Sequence, residues 1–169
     1  QRMSRGLGDV YKRQVLENAI DTNTIGEDKD LEKTLKDKTY ICTVGRPSFQ
    51  KNLEMLIKAF EAVAQNNSKV HLFIIGAGEY SPRKDKIIQM INKRNLNNRV
   101  TILPWISRKQ VQTYIKNAKL YVSSSRYEGM PYSVIESMAL SQPSVLTNTD
   151  GNRDLVIDKK SGFLAVSYT

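Results

Sequence analysis

Two glutamates, Glu128 and Glu136, are separated by seven residues in the run EGMPYSVIE, which follows a short apolar run. Pro131 lies between them, and its fixed φ suits the first turn of a helix, so we expect a helix to begin there. Glu128 then lies in a loop and Glu136 in the second helical turn. Even along an unbroken helix the two would be about 12 Å apart, whereas the carboxylates of a glycosidase are roughly 5–9.5 Å apart. The acids are better suited to hold two parts of one long ligand than to share a proton.

The helix start between these acids is also a candidate anion site. The first N–H groups of a helix have no partner within it and point toward a bound anion. We expect the N–H groups of Tyr132, Ser133 and Val134 to be free in this way. An ordinary helix start without a ligand is the alternative.

The elements that must position these residues alternate along the chain. Apolar runs typical of buried strands cover residues 40–44, 70–75, 100–103, 120–123 and 144–147, with a candidate sixth at 162–166. Three intervening segments carry helical spacing, the second less purely. Their members are Leu53, Leu56, Ile57, Phe60 and Val63; Lys84, Ile87, Ile88 and Ile91; and Val111, Tyr114, Ile115 and Ala118. The alternation predicts an α/β fold, a Rossmann-like parallel sheet of about six strands with flanking helices, whose ligands bind at the carboxyl ends of the strands.

The first predicted strand ends in residues suited to phosphate. Gly45 allows a tight turn, and Arg46 and Lys51 follow it at the opening of a helix. A guanidinium offers a planar fork of donors and an ammonium offers a point charge, and both bind phosphate oxygens. Two solvent-exposed basic side chains without a ligand are the alternative.

The next strand ends carry a glycine pair and a tryptophan. Gly76 and Gly78 resemble the start of a dinucleotide fingerprint, but Ser81 stands where that fingerprint needs a glycine or alanine, which disfavours a dehydrogenase. The glycines indicate either a close backbone turn that leaves room for a ligand or an ordinary turn. Trp105, the only tryptophan, could form one wall of a base pocket or could serve packing.

Composition limits the class of protein. A chain of 169 residues suits one well-cored domain, and no apolar run approaches the length of a membrane span. The single cysteine, Cys42, excludes a disulfide within the chain and is expected to be buried in a strand. The single histidine, His71, makes a histidine-based zinc site or a nucleophilic triad a poor interpretation, and we expect it to be structural.

The net charge of +9 is unevenly distributed. Residues 1–14 carry four basic side chains against one acidic side chain and resemble a translated sequencing adaptor, so we treat them as non-native. The remainder keeps +6 of the charge, which suits an anionic ligand or an acidic membrane surface. Nucleic acid is not expected as a partner, because no basic run is interleaved with stacking aromatic residues.

Taken in order, these motifs resemble the donor-binding domain of retaining, nucleotide-sugar-dependent glycosyltransferases with the GT-B fold. The motifs are Gly45-Arg46 with Lys51, then Gly76-Ala77-Gly78, then Glu128 and Glu136 with seven residues between them, followed by Ser137-Met138-Ala139. The resemblance covers roughly residues 39–166, and Asn18-Ala19-Ile20-Asp21 is similar to the segment that enters this domain in the family.

The resemblance implies a role for each site residue. Arg46 and Lys51 neutralise the donor diphosphate, Glu128 binds hydroxyls of the transferred sugar, and Glu136 binds the ribose hydroxyls. The other residues predicted to contact the donor are Gly45, Gly76, Gly78, Trp105, Gly129, Met130, Tyr132 and Ser133. The donor is a UDP-, GDP- or ADP-sugar, and neither a metal nor a cofactor is expected. Two departures from the family pattern are Ser137, where alanine is frequent, and Asp154, where glutamate is common.

The resemblance also implies a division of the protein. Residues 15–38 are interpreted as a linker or short helix from a missing N-terminal domain, and residues 39–169 as a C-terminally truncated donor domain. We expect the full enzyme to act on a glycan or lipid-linked acceptor, in the cytoplasm or peripherally at the inner face of the membrane, and the fragment to be inactive alone. A non-catalytic nucleotide-binding or regulatory module is the alternative.

Overall fold

The computed structural model describes residues 17–166. The segment 1–14, interpreted above as non-native, lies outside the described residues. Six strands form one sheet: β1 (Tyr40–Val44), β2 (His71–Ile75), β3 (Val100–Leu103), β4 (Leu120–Ser123), β5 (Ser144–Thr147) and β6 (Phe163–Ala165). The α-helices are α1 (Lys29–Leu35), α2 (Leu53–Asn66), α3 (Lys84–Lys93), α4 (Arg108–Asn117), α5 (Tyr132–Ala139) and α6 (Asp150–Arg153).

The sheet has the order β3-β2-β1-β4-β5-β6, and every neighbouring pair of strands is parallel. This confirms the predicted Rossmann-like parallel sheet. From β1 the chain first adds β2 and β3 on one side and then returns to add β4, β5 and β6 on the other. Such a switch point, here between β1 and β4, opens a crevice at the carboxyl ends of the strands. The loops after β1 and β4, which hold Lys51 and Glu128, flank this crevice.

Helices cover both faces of the sheet. On one face α2 and α3 bury apolar side chains against the sheet, in a core that includes Leu56, Phe60 and Ile87. Val63, predicted as part of this face, is 41% exposed, and Ala64 is buried in its place. At 3.6 residues per turn, Ala64 continues the row from Phe60 while Val63 lies at the margin of the buried face.

The other face carries α1, α4 and α5 over a core that contains Tyr40, Cys42 and Tyr121. Cys42 is fully buried, as predicted, and burial raises the pKa of its thiol. His71 lies at the amino end of β2, where its Nε2 is 2.8 Å from Thr101 Oγ1.

Residues 17–38 include the short helix that was one of the two alternatives for this segment. Asp28 caps α1 by accepting a hydrogen bond from the Leu31 N–H, and Leu35 is buried beneath the helix. The Asp28 N–H donates to Thr113 Oγ1 at 2.8 Å, which ties this segment to α4. The packed structure therefore begins before Thr39, where the sequence placed the start of the domain. Within residues 17–166, no helix is long and apolar enough to cross a membrane.

Candidate functional site

The loops after β1 and β2 meet at their glycines. The Gly45 N–H donates to the Ile75 carbonyl at 2.8 Å, which joins the two strand ends. Gly76 has a φ of 100°, a conformation that L side chains rarely adopt, and a Cβ there would lie 3.6 Å from the Gly45 carbonyl carbon. The φ of Gly76, and not a lack of space for a side chain, therefore requires glycine in this turn at the carboxyl edge of the sheet.

Gly78 supports the tryptophan from the neighbouring loop. A Cβ on Gly78 would lie 2.4 Å from Trp105 Nε1, so the indole rests where any larger side chain would stand. Trp105 is nevertheless 74% exposed. The indole thus packs on backbone at one side while most of its surface stays open to a ligand.

Glu128 and Lys51 form an ion pair at the carboxyl ends of β4 and β1. Lys51 Nζ is 2.6 Å from Glu128 Oε1, and the two side chains are 23% and 6% exposed. The Ser125 hydroxyl donates to the same oxygen at 2.6 Å, and Gln50 Nε2 donates to Oε2 at 3.3 Å. A nearly buried carboxylate is costly without such partners, so this cluster compensates its own charge.

Further contacts lock the loop after β1 to the loop after β4. The Ser124 hydroxyl donates to the Lys51 carbonyl at 2.8 Å, and the Arg126 guanidinium donates to Asn52 Oδ1 at 3.1 Å. Asn52, the N-cap of α2, lies in the left-handed region, with φ 46°. The Arg126 guanidinium also lies 4.5 Å above the Phe49 ring. Lys51 is therefore carried on a loop whose position depends on β4 as well as β1.

Glu136 lies in the second turn of α5, which has Pro131 at its N-cap, and Glu128 lies in the preceding loop, as predicted. Glu136 Oε1 accepts from Arg108 Nε at 3.0 Å. Arg108 is the first residue of α4, whose start is held by a capping box between Ser107 and Gln110. Glu136 is 15% exposed at its side chain and Arg108 is 54% exposed. A ligand that reaches Glu136 would therefore meet this guanidinium as well.

The predicted free N–H groups at the start of α5 need one correction. The Val134 N–H donates to the Pro131 carbonyl at 3.0 Å, so it is not available to a ligand. The bond forms because Pro131 takes the N-cap position and its carbonyl closes the first turn. Tyr132 and Ser133 precede this bond, and the Tyr132 side chain is among the exposed large side chains.

The loop that contains Gly129 and Met130 is held from two directions. The Gly151 N–H donates to the Glu128 carbonyl at 3.2 Å, and a Cβ on Gly151 would lie 1.5 Å from the Gly129 carbonyl oxygen. From the other direction, Asn18 Nδ2 donates to the Met130 carbonyl at 2.6 Å. A Cβ on Gly129 itself would meet no atom of residues 17–166 within 4 Å, so the described part of the chain leaves the opposite surface of the loop open.

The structure places every predicted site residue at the carboxyl edge of the sheet or on the helix that leaves it. Lys51 and Glu128 contact each other, whereas Glu136 is paired with Arg108. Arg46 is exposed in the loop that follows Gly45.

Five residues that contact the site were not among those predicted from the sequence: Asn18, Gln50, Arg108, Ser125 and Gly151. Ser125 could have been found from the run of three serines that begins at the end of β4, and Asn18 from its place in a segment similar to the family's. No local pattern marks Arg108, because its partner belongs to another helix.

The chain is similar to known proteins of one class. Residues 26–169 match the family model described as Glycosyl transferases group 1. An uncharacterized glycosyltransferase of Methanocaldococcus jannaschii is 33% identical over 121 residues, which are 72% of this chain and 29% of that protein. The N-acetylgalactosamine-N,N'-diacetylbacillosaminyl-diphospho-undecaprenol 4-alpha-N-acetylgalactosaminyltransferase of Campylobacter jejuni is 32% identical over 154 residues, which are 90% of this chain and 40% of that protein.

A solved structure agrees with these relatives. The S. aureus TarM mutant crystallised with fondaparinux, alpha-GlcNAc-glycerol and UDP matches with a TM-score of 0.70 and 30% identity, over 78% of this chain and 26% of that one. The chain spans well under half the length of each of these proteins. Because the family match covers most of the chain and the parallel sheet agrees with it, this chain belongs to the glycosyl transferases group 1 family.

Proposed function

We propose that this chain is the donor-binding domain of a glycosyltransferase that transfers a sugar from a nucleoside diphosphate sugar with retention of configuration. The observation that carries the proposal is the Lys51–Glu128 pair at the switch point of the sheet. A nucleotide sugar presents an anionic diphosphate directly beside a polyhydroxylated ring. A cation and a carboxylate in contact therefore match the two groups that such a donor places side by side.

Donor binding would exchange the partners of this pair. The diphosphate takes Lys51 and Arg46, and Glu128, once the ammonium has left it, accepts hydrogen bonds from hydroxyls of the transferred sugar. Glu136 accepts from the ribose hydroxyls, and Trp105 forms one wall of the base pocket. Gly45, Gly76 and Gly78 leave space for the donor, while the loop that contains Gly129 and Met130 and the first N–H groups of α5, at Tyr132 and Ser133, face the sugar and phosphate.

The proposed chemistry depends on charge at the leaving group. As the glycosidic bond breaks, the diphosphate gains negative charge, and Lys51 and Arg46 stabilise this charge most strongly in the transition state. The reaction follows front-side displacement, in which the leaving phosphate helps to deprotonate the acceptor hydroxyl. Because the two cations supply the required positive charge, we propose that neither a metal ion nor a cofactor takes part. The departures at Ser137 and Asp154 leave this arrangement unchanged.

We propose a glycan or a lipid-linked glycan as the acceptor, bound by an additional domain of a longer protein. The name of the Campylobacter relative specifies an undecaprenyl diphosphate-linked acceptor, which supports this class. Without residues 1–14 the chain keeps a net charge of +6, which suits peripheral association with an anionic membrane surface at its cytoplasmic side. The 169-residue chain alone is proposed to bind donor and to transfer little or no sugar.

Calorimetric titration of the 169-residue chain with UDP, GDP and ADP tests the proposal directly. We expect one of the three to bind, and Lys51→Met to weaken that binding by at least about tenfold through loss of a phosphate contact. Lys160→Met is the matched control, because that lysine is exposed near β6. No heat from any nucleotide, or equal binding by the Lys51 variant, would contradict the proposed function.

Glu128→Gln in a longer protein that contains both domains tests the catalytic part. We expect loss of sugar transfer with nucleotide binding preserved, because the amide keeps the size of the carboxylate and loses its charge. Unchanged turnover would favour a non-catalytic nucleotide-binding module.

A further inference from the structure

Glu128 has two oxygens with different surroundings. Oε1 accepts two short hydrogen bonds, from Lys51 and from Ser125, each 2.6 Å long. Oε2 accepts one longer bond, 3.3 Å, from Gln50. A carboxylate can accept about four hydrogen bonds. Among the described residues, Oε2 is therefore the oxygen with more capacity left for a ligand.

Ser125 is the more firmly held of the two uncharged partners. It is 1% exposed, so water does not compete readily for its hydroxyl. Its carbonyl accepts a 2.6 Å hydrogen bond from Thr147 Oγ1 at the end of β5. The backbone of Ser125 is thus anchored to the neighbouring strand while its hydroxyl points at Glu128. Gln50, in the loop after β1, donates to the Tyr127 carbonyl at 3.2 Å as well as to Glu128.

Lys51 and Ser125 differ in what a donor would do to them. Lys51 is charged and 23% exposed, so a diphosphate can draw it away from Glu128. Ser125 is neutral and buried, so an anionic ligand does not compete for it. When Lys51 moves to the phosphate, Ser125 alone remains on Oε1.

We propose that Ser125 is a positioning residue for sugar recognition: it holds Oε1 after Lys51 has moved to the diphosphate, and Oε2 is thereby directed at a hydroxyl of the transferred sugar. Gln50 plays a smaller part by limiting rotation of the carboxylate from the other oxygen. The proposal rests on the proposed donor-binding function and adds a specific consequence. Ser125 should affect the sugar part of the donor and not the nucleotide part.

The test compares nucleotide sugars with free nucleotides on the 169-residue chain. UDP-glucose, GDP-mannose and ADP-glucose are titrated beside UDP, GDP and ADP, and the ratio of the two affinities is measured for each variant. We expect Ser125→Ala to lower the affinity for the preferred nucleotide sugar about tenfold while the affinity for the free nucleotide stays the same. Gln50→Ala should lower the affinity for the nucleotide sugar only about twofold to threefold, because the hydrogen bond from Gln50 to Glu128 is longer.

Ser137→Ala is the matched control. Ser137 is as buried as Ser125, and its hydroxyl donates to the Val134 carbonyl and lies 3.0 Å from Ser144 Oγ, away from Glu128. Its ratio of affinities should equal that of the unmodified chain. If Ser125→Ala does not fold, Ser125→Cys decides the question, since it is close in size and only a weak donor.

The outcomes separate the two proposals. If the unmodified chain binds none of the six probes, the proposed function fails and this inference falls with it. If it prefers a nucleotide sugar and Ser125→Ala keeps that preference, the positioning role is refuted while the proposed function stands. An equal loss of affinity for nucleotide and nucleotide sugar also refutes it, because that result indicates a general structural role. Selective loss of the sugar preference supports it.

Discussion

The two halves of the candidate cleft are built differently. In the half formed by the loops after β1 and β4, side chains cross-link the loops, and Asn52, Ser125 and Glu128 are nearly buried. In the half formed by the loops after β2 and β3, Trp105 lies against the Gly78 backbone and is 74% exposed. In the first half, called the closed half below, the side chains bond to one another. In the second, the open half, the main side chain is exposed to solvent.

The charge on Glu128 explains why one half of the cleft is cross-linked and the other is exposed. A buried carboxylate without partners costs several kcal/mol, so Glu128 must be compensated even when no ligand is present. An exposed indole carries no comparable penalty, because folded proteins expose much apolar surface. A ligand must therefore exchange partners in the first half but can simply add contacts in the second.

The largest expected effect comes from forcing the closed half apart at Gly151. A Cβ at this position would lie 1.5 Å from the Gly129 carbonyl oxygen, so Gly151→Ala must displace the loop that carries Glu128. We expect the affinity for a nucleotide sugar to fall about 100-fold, because the displaced loop withdraws Glu128 from the sugar and a hydrogen bond to a charged group contributes about 1.5–3 kcal/mol. The free energy of unfolding should fall by about 2–3 kcal/mol.

Calorimetry and urea denaturation measure the two effects of Gly151→Ala. Gly129→Ala controls for stability, because the same added methyl group lies more than 4 Å from every other described part of the chain and should leave the unfolding midpoint nearly unchanged. If Gly151→Ala binds and unfolds like the unmodified chain, the loops are not in the contact described.

Substituting each partner of the Lys51–Glu128 ion pair in turn should show that the stability of the closed half depends on neutralising the charge of Glu128. Lys51→Met leaves the 6% exposed carboxylate without its cation and should lower the free energy of unfolding by about 3 kcal/mol. Glu128→Gln should cost less, about 1 kcal/mol, because the remaining Lys51 ammonium is partly exposed and can reach water.

Urea denaturation of both single variants and the double variant measures this asymmetry. We expect the double variant to lose less stability than the two single variants together, because either change alone removes the same interaction. Equal losses from the two single variants would argue that the charge on Glu128 is not the source of the constraint.

A smaller effect is expected in the open half. Trp105→Ala should weaken binding of the preferred nucleoside diphosphate about tenfold, in the range of base stacking on aromatic side chains. The unfolding midpoint should not change, because the side chain is 74% exposed. Phe163→Ala, at a 57% exposed aromatic residue of β6, is the control and should change neither quantity by much. A lower midpoint with unchanged binding would assign Trp105 to packing.

Since Trp105 is the only tryptophan, its fluorescence reports nucleotide binding in the unmodified chain.

The smallest effect concerns the amino end of the sheet, away from both halves. Burial, and then the nearby charges of Lys38 and Arg99, lower the pKa of His71 below 6.5. As the pH falls below 6.5, the unfolded chain takes up this proton first, so the free energy of unfolding decreases until the pH is below the pKa in the folded state. Well above pH 6.5 the side chain is neutral in both states and contributes no such dependence.

Thermal unfolding between pH 5 and 7.5 should therefore depend less on pH in His71→Gln than in the unmodified chain. Nucleotide affinity at pH 7.5 should be the same in both, because His71 lies at the opposite end of β2 from the cleft. An identical pH dependence in the two proteins would show that this histidine is not responsible.

Much of the fold could be read from local pattern. The predicted bounds of β1, β3, β4 and β5 agree with the structure, and β2 and β6 differ by one residue at one or both ends. Such runs are recognisable because a buried strand in a parallel sheet is apolar on both faces. The same reasoning failed at Val63, where the exact edge of the buried helix face depends on how the helix sits on the sheet.

The residues of the site were predictable from the sequence, but their contacts were not. The sequence determined which chemical groups end each strand, and therefore that Lys51, Trp105, Glu128 and Glu136 would gather at one edge, because parallel strands bring their carboxyl ends together. The partners of these groups could not be predicted in this way: Glu128 contacts Ser125 and Lys51, Glu136 contacts Arg108, and Gly151 lies against the Gly129 carbonyl. Most of these contacts join segments far apart in the chain, and distances of 2.5–3 Å between such segments depend on packing of the whole sheet and not on local pattern.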